Sequence, residues 1–540
     1  MKKTVAMILS LVMVLSLAGC GAKNSKEESL NISIAGSPAT VDPQLASDQG
    51  SLHAVSFIVS TLFVFDDDGE VCPGLADSYD VSDDGLTYTI KLKKGLCWSD
   101  GSPLTARDFV YAFRRIADPD TGSGVVYYIT DYCQIKNAED INNGDKHIDE
   151  LGVSAPDETT FVIELVEPCP YMTALLTNYP LSPCNEQFFK NCKGNYATTP
   201  ETLLSCGPYM IDRYEPLAVQ IHYVLNPYYY DADSHKNLPK SITAQVVPNT
   251  QQAVMCFETG EFDITEVGGS ILEKMSGDKR LISLNQAGEF FVQFGNMKQS
   301  DVSNAHIRRA LGRSVDRDSI VKDYYKAGAY ALKRISPREY YYETDGTDYS
   351  GDDSQYEDVT GFDVDAAKKE WEQGLKELGQ NSLELDLAFR NSDQAICEIL
   401  KQDWEKNLPG ISIKLVPLPT KEWIVAMTSS KYDMTYTGWN TDYADPTGFY
   451  NYFYTGQNGD NGYSNPEVDK MLDESSSAEM ASDPAKRNLL LHKIEDTLLD
   501  DMAEIPLLST QKSYLTSDGY SDLKLYGNAI GFQLSSLEHK

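Results

Sequence analysis

Leu30, Ile32 and Ile34 alternate with Asn31 and Ser33. That is the two-residue period of a strand with one buried face, and Gly36-Ser37-Pro38 ends it. Helical spacing follows at Leu52, Val55, Ile58, Val59 and Leu62. Tyr79 and Val81 alternate before Asp83-Asp84-Gly85, and Leu86, Tyr88, Ile90 and Leu92 after it, which predicts a β-hairpin. Thr105 with Asp108 three residues on forms a capping signal for a helix bearing Phe109, Ala112, Phe113 and Ile116 on one face, stopped by Asp118-Pro119. Strands are predicted near 151–153 and 160–165, and from Cys206 to Pro227 and 241–247. A helix is predicted at 251–257, with a short strand following at 262–264.

The second half keeps this texture. One arginine-rich helix is predicted over 305–325, with further helices at 363–378, 392–407 and 484–500 and one capped near Asn465 that carries Met471 and Leu472. Strands are predicted at 383–389, 411–416, 432–436 and Ile505–Leu508. The acidic, tyrosine-rich stretch 335–360 reads as a surface excursion. There are no 20–50-residue repeats and no long low-complexity linker. Strands alternating with helices throughout indicate α/β domains, and the missing linkers imply lobes built from non-contiguous stretches.

The N-terminus bears on location. Lys2 and Lys3 precede an apolar run from Val5 to Leu17, too short for an ordinary spanning helix, and Leu17-Ala18-Gly19-Cys20 closes it. The order is that of a secretory signal. Its last four residues resemble a bacterial lipobox, which implies cleavage before Cys20 and acyl chains on that residue. Residues 20–29, polar and poor in apolar side chains, read as a tether. The expected location is the outer face of the cell membrane, held by lipid, in a bacterium without an outer membrane.

Composition then narrows the function. With 81 acidic against 46 basic residues the net charge is −35, which argues against nucleic acid as a partner. With Cys20 assigned to lipid, nine cysteines remain, an odd number; Cys169, Cys184, Cys192 and Cys206 are dense enough to permit one or two bridges, but no histidine lies among them to suggest zinc. The chain lacks G-x-S-x-G, H-E-x-x-H, a P-loop and G-x-G-x-x-G, and its seven histidines stand singly, so an enzyme is not expected. No cofactor and no metal are expected either.

Seven stretches, in order, carry a resemblance. They are PGLADSY at 73–79 with the hairpin after it, WSDGSPLTARDFVYAFRRIADP at 98–119, and GPY at 207–209 with LNPYY at 225–229. TGEFD at 259–263, HIRRALGRSVDRDSIV at 306–321, GWNTDYADPTGF at 438–449 and YSNPEVDKML at 463–472 complete the set. Together they resemble the extracellular solute-binding proteins of the oligopeptide-binding type, the receptors of ABC peptide importers, over about residues 30 to 510.

The resemblance implies a two-lobed, periplasmic-binding-protein-like α/β fold with a hinge and an extra subdomain in lobe one. Residues 30–58, 186–285 and 506–540 would form lobe one, 59–185 the inserted subdomain and 286–505 lobe two. It implies a monomer that captures short peptides between the lobes and hands them to the permease and ATPase subunits of an importer. A receptor for a metal chelate or other small solute of the same fold, or a peptide-signal receptor, is the alternative. In the family the acid of G-W-x-x-D pairs with the peptide's α-amino group; here that is Asp442. Trp439 would wall the first peptide residues. Tyr443 lines the site or packs beside it, and Tyr128 is a further candidate for the cleft. Asp445, before Pro446, reads as a turn residue. Some relatives have an arginine three residues before the tryptophan as a carboxylate clamp; Tyr436 stands there in this chain.

Overall fold

The computed structural model describes residues 29–66, 69–214, 220–231, 238–351, 354–428, 431–456 and 462–520. The signal segment, Cys20 and most of the tether lie outside the described residues.

The main sheet has twelve strands among the described residues. In spatial order its path runs Ile411–Leu418, Leu383–Arg390, Met434–Asn440, Gly288–Phe294, Glu504–Thr516, Ile264–Val267, Ser29–Ile34, Ser241–Val246, Gln220–Leu225 and Tyr209–Arg213. Ser29–Ile34 lies parallel to Ser241–Val246, and its apolar alternation buries Leu30 and Ile32 as predicted. At the other end Leu383–Arg390 lies parallel to Ile411–Leu418, and the helix Gln394–Asn407 makes the crossover that a parallel pair requires.

Glu504–Thr516 joins the two ends. Its first residues pair with Gly288–Phe294, and its later ones pair with Leu281–Asn285 on one side and Ile264–Val267 on the other. The sequence predicts only Ile505–Leu508 as a strand. Thr510, Gln511, Lys512 and Ser513 lack apolar alternation, yet ladders on both edges carry the strand through them.

A separate four-stranded sheet contains Ala76–Val81, Thr87–Leu92, Thr160–Glu164 and Val153–Ser154. The helix Ala106–Ala117 covers it, burying Phe109, Ala112, Phe113 and Ile116. Its predicted capping box is present: the Thr105 N–H donates to the Asp108 carboxylate at 2.7 Å. Burial pushes the Asp108 carboxyl up to about 6 against that bond. From the same helix Arg115 reaches the loop after Ser29–Ile34 and donates two hydrogen bonds to Asp42, at 2.6 and 3.1 Å, both side chains buried.

Two predictions in the second half are corrected. The helix expected over 305–325 stops at Arg313 and restarts at Arg317, with a wider turn over Ile320–Tyr325. Asp316 caps the restart by accepting from the Ser319 N–H, and the buried Arg317 donates to the carbonyls of Gly312, Thr360 and Pro506. The stretch 335–360 is no surface excursion. Tyr340, Tyr349 and Tyr356 are buried, and Tyr349 stacks on His492 with ring centroids 4.1 Å apart. Arg334, at its start, forms a fully buried ion pair with Glu495. Tyrosine rings offer apolar faces as well as hydroxyls, so a tyrosine-rich segment can pack as core.

Candidate functional site

The strand Met434–Asn440 pairs along its length with Gly288–Phe294. On its other edge it pairs only through Met434 and Thr435, with Leu387 and Ala388. Residues 436–440 therefore present an edge that no described strand covers. The Tyr436 carbonyl on this segment accepts from Trp423 Nε1 at 3.0 Å. At Gly438 a Cβ would stand 3.0 Å from the Glu289 carbonyl oxygen and the Phe290 ring, so glycine allows this approach of the two strands.

Asp442 lies two residues beyond the strand. Its carboxylate accepts hydrogen bonds from Tyr132 at 2.8 Å, Tyr127 at 3.3 Å and Tyr128 at 3.5 Å. Its backbone carbonyl accepts from Asn178 Nδ2 at 2.8 Å. Among the described residues no lysine, arginine or histidine pairs with it. Burial pushes its carboxyl above the usual carboxylate range, and the three phenols partly oppose that by stabilising the charged form. In turn, burial first and the Asp442 charge second hold all three phenols well above the normal tyrosine range.

The three tyrosines come from one wide helical turn, with Tyr128 and Tyr132 in the five-residue segment Tyr128–Tyr132 and Tyr127 just before it. Their rings brace one another, Tyr127 edge-on to both Tyr128 and Tyr132 with centroids 4.7 and 5.3 Å away. Tyr128 was expected at the cleft and does reach Asp442. Tyr127, Tyr132 and Asn178 were not singled out. The only sequence signal for the two tyrosines is the aromatic density of YYITDY at 127–132.

The other candidates separate by burial. Trp439 keeps 38% of its surface exposed, and its Nε1 donates to the Gly448 carbonyl at 2.9 Å. Tyr443 is only 2% exposed and stacks on Tyr171, centroids 4.3 Å apart and planes 10° apart. It packs between the halves of the chain and presents no face to a ligand. Asp445 accepts from the Thr447 N–H at 3.0 Å, a turn role, but it also pairs with Arg487 through two bonds of 2.6 and 2.9 Å. Both members of that pair are buried. Tyr436 is buried and stacks on Phe290, so its side chain does not take the place of a clamp. All nine cysteines from Cys72 to Cys397 are free thiols, so the bridges that the 169–206 cluster would permit do not form. No described helix is long and apolar enough to cross a membrane.

This geometry can be set beside known proteins. The family of bacterial extracellular solute-binding proteins, family 5 middle, matches residues 70–461. The oligopeptide-binding protein OppA of Bacillus subtilis is 30% identical over 93% of this chain and 93% of its own. A dipeptide-binding protein of Lactococcus lactis is 28% identical over 99% of each. Among solved structures, Listeria monocytogenes OppA bound to peptide superposes with a TM-score of 0.71 at 28% identity, covering 96% of this chain and all of that one. The open, unliganded form of the murein tripeptide-binding protein MppA reaches 0.81 at 23% identity, covering 96% and 98%, a likeness of fold.

Proposed function

The chain belongs to the family 5 bacterial extracellular solute-binding proteins, two-lobed α/β receptors, and on that premise we propose that it captures short peptides by their free amino terminus and delivers them to an ABC importer. The observation that carries the amine claim is the Asp442 carboxylate, ringed by the hydroxyls of Tyr127, Tyr128 and Tyr132 and lacking a cation among the described residues. A half-buried carboxylate with neutral donors on one side is completed by a positive donor on the other. A peptide's ammonium group meets that need.

The edge at 437–440, which no described strand covers, supports the same reading. An extended peptide laid beside it gains main-chain hydrogen bonds that ignore side-chain identity, and Trp439 offers its exposed face to the first residues. Lobe one takes the described residues of 30–58, 186–285 and 506–520, with 521–540 outside the described residues, the inserted subdomain 59–185, and lobe two 286–505. The bonds from Arg115 to Asp42 tie the inserted subdomain to lobe one, and the crossings near 286 and 506 serve as the hinge. Acyl chains on Cys20 hold the monomer on the outer leaflet beside its permease and ATPase partners.

Two measurements test this. Mass spectrometry of ligand released from the purified protein should find short peptides. Titration calorimetry should find binding of tri- to hexapeptides with free amino termini and little binding of their N-acetylated forms. Equal affinity for the two would overturn the amine pairing, and a stoichiometric metal chelate in place of peptide would overturn the substrate class.

A further inference from the structure

The strand Ala76–Val81 ends the four-stranded sheet, and no described strand pairs with its outer edge. Tyr79 stands opposite Ile90 and Val81 opposite Tyr88, and Ile90 in turn stands opposite Phe161. Opposed residues of an antiparallel pair share a face. That face is the one the helix Ala106–Ala117 covers, through Phe109, whose ring meets Phe161 at 5.5 Å. Ile90 and Tyr88 are buried there, but Tyr79 and Val81 keep 44% and 41% of their surface exposed. The cover stops one strand short of the edge.

A cavity of about 430 Å³ occupies the gap. Tyr79 and Val81 line one wall, Pro168 and Pro170 a second, and Ala478 and Ala481 of the helix Ala478–Ser482 a third. Gly85, in the hairpin turn with φ +73°, lets that turn sit on the other two walls: a Cβ there would stand 3.0 Å from Pro168 and 3.3 Å from Ala478. Neither Asp442 nor Trp439 lines this cavity, and neither does any of Tyr127, Tyr128 and Tyr132. Its volume falls in the range of small-ligand sites, roughly 300–1,000 Å³.

The rim is acidic. Residues 77–84 read DSYDVSDD, all exposed, with four aspartates and no basic residue. Asp83 lines the cavity itself. No described lysine, arginine or histidine pairs with these aspartates. Across the gap Glu479 is already paired, with Lys486 at 2.5 Å.

An open strand edge, apolar side chains at alternate positions and uncompensated negative charge thus meet in one place. An extended chain laid on the edge gains main-chain hydrogen bonds, and every second side chain of it points to the cavity. Basic residues on that chain meet the aspartates. A second copy of this protein does not fit, because pairing the edge with itself sets aspartates against aspartates. The outer loops of a permease are poor in lysine and arginine, which collect on the cytoplasmic side. A free peptide carries no such restriction.

We propose that the edge of Ala76–Val81 and the cavity beside it form an accessory site for an extended, cationic peptide, outside the cleft. The site grips residues in the middle of the peptide and uses neither of its ends. It makes no use of Asp442, so it stands or falls apart from the peptide reading above.

Titration calorimetry of the purified protein with acetyl-Lys-Val-Thr-Tyr-Thr-Val-Lys-amide tests this. Both ends are capped, so this peptide lacks the ammonium that Asp442 requires. It should bind at least about tenfold more tightly than the same peptide with glutamate for lysine, and more weakly as salt rises. Hydrogen exchange should slow at 77–81 when it binds. Asp80→Lys together with Asp83→Lys, and separately Ala481→Trp to fill the cavity, should each cost at least about tenfold in affinity. All three positions are exposed, so the fold tolerates these changes. Asp442→Asn should leave the affinity for the capped peptide as before. No binding of the capped peptide, equal binding of its glutamate form, or an affinity that survives both sets of substitutions overturns the site. Exchange slowed at 437–440 instead, with affinity lost in Asp442→Asn, puts the capped peptide in the cleft and also overturns it. Failure of free-amine tripeptides to bind overturns the peptide reading alone.

Discussion

Tyr132 donates its hydroxyl to the Asp442 carboxylate at 2.8 Å across 310 residues of chain. The bond joins the segment that follows the helix Ala106–Ala117 to the end of a strand in the other half of the molecule, and it gives an acid neutral donors where a salt bridge would have supplied a cation.

Asp442→Asn should weaken the binding of free-amine peptides by about 2–5 kcal/mol, the range for removing one member of a buried, hydrogen-bonded charge pair. Thermal unfolding of the unliganded protein should change little, because no cation of the chain is left unpaired. Calorimetry and a melting curve on one sample check both halves of the prediction.

Peptide affinity should fall as the solution is acidified through the Asp442 titration. Only the carboxylate attracts an ammonium, and burial holds this carboxyl above its ordinary value, so the loss begins at a higher pH than for an exposed aspartate. Tyr132→Phe removes the shortest donor and should move the midpoint of the pH–affinity curve further up. It should also cost about 0.5–1.5 kcal/mol of affinity at neutral pH.

Arg487 and Asp445 should behave in the opposite way to Asp442. Arg487→Met leaves the buried Asp445 carboxylate without its two bonds, and the expected cost in folding stability is about 3–5 kcal/mol. Urea denaturation measures it.

Stability of the unliganded protein should respond to pH through Glu289 and Glu504, which are buried in hydrogen-bonding contact on adjoining strands. Burial holds their folded-state values above the unfolded ones, so the stability they contribute is full below the ordinary carboxylate range and is lost as pH rises through the raised values. Glu504→Gln should therefore gain on the unaltered protein as the solution goes from about pH 5 to about pH 9. Paired melting curves across that range report the difference.

Trp439 should dominate the fluorescence response to ligand. Of the five tryptophans, Trp98, Trp371, Trp404 and Trp423 are buried and only Trp439 is exposed. Trp439→Phe should abolish most of the emission change on peptide addition while calorimetry still detects binding.

Local chemistry was readable where a signal and its consequence lie within one element. The Thr105–Asp108 box and the apolar face from Phe109 to Ile116 predict the helix that forms. Asp442 stands out through the resemblance that the G-W-x-x-D stretch carries, since spacing alone reads it as a turn acid. Its three phenols do not, because nothing local at 127–132 encodes a contact 300 residues away. Glu289 and Glu504 gave no warning for a related reason: alternation marks a buried face by its apolar residues, and an acid on that face reads as an exposed one. The polar half of Glu504–Thr516 was missed because its neighbours on both edges, absent from any short window, supply its ladders.

The continuity of Glu504–Thr516 has a consequence in time. The strand lies between Gly288–Phe294 and Ile264–Val267 and completes the sheet in both halves of the molecule. Its residues follow, along the chain, every strand that they join. Until it docks, the strands on its two sides lack the neighbour they share, so the pairing of this one segment is the step that unites the two ends of the sheet.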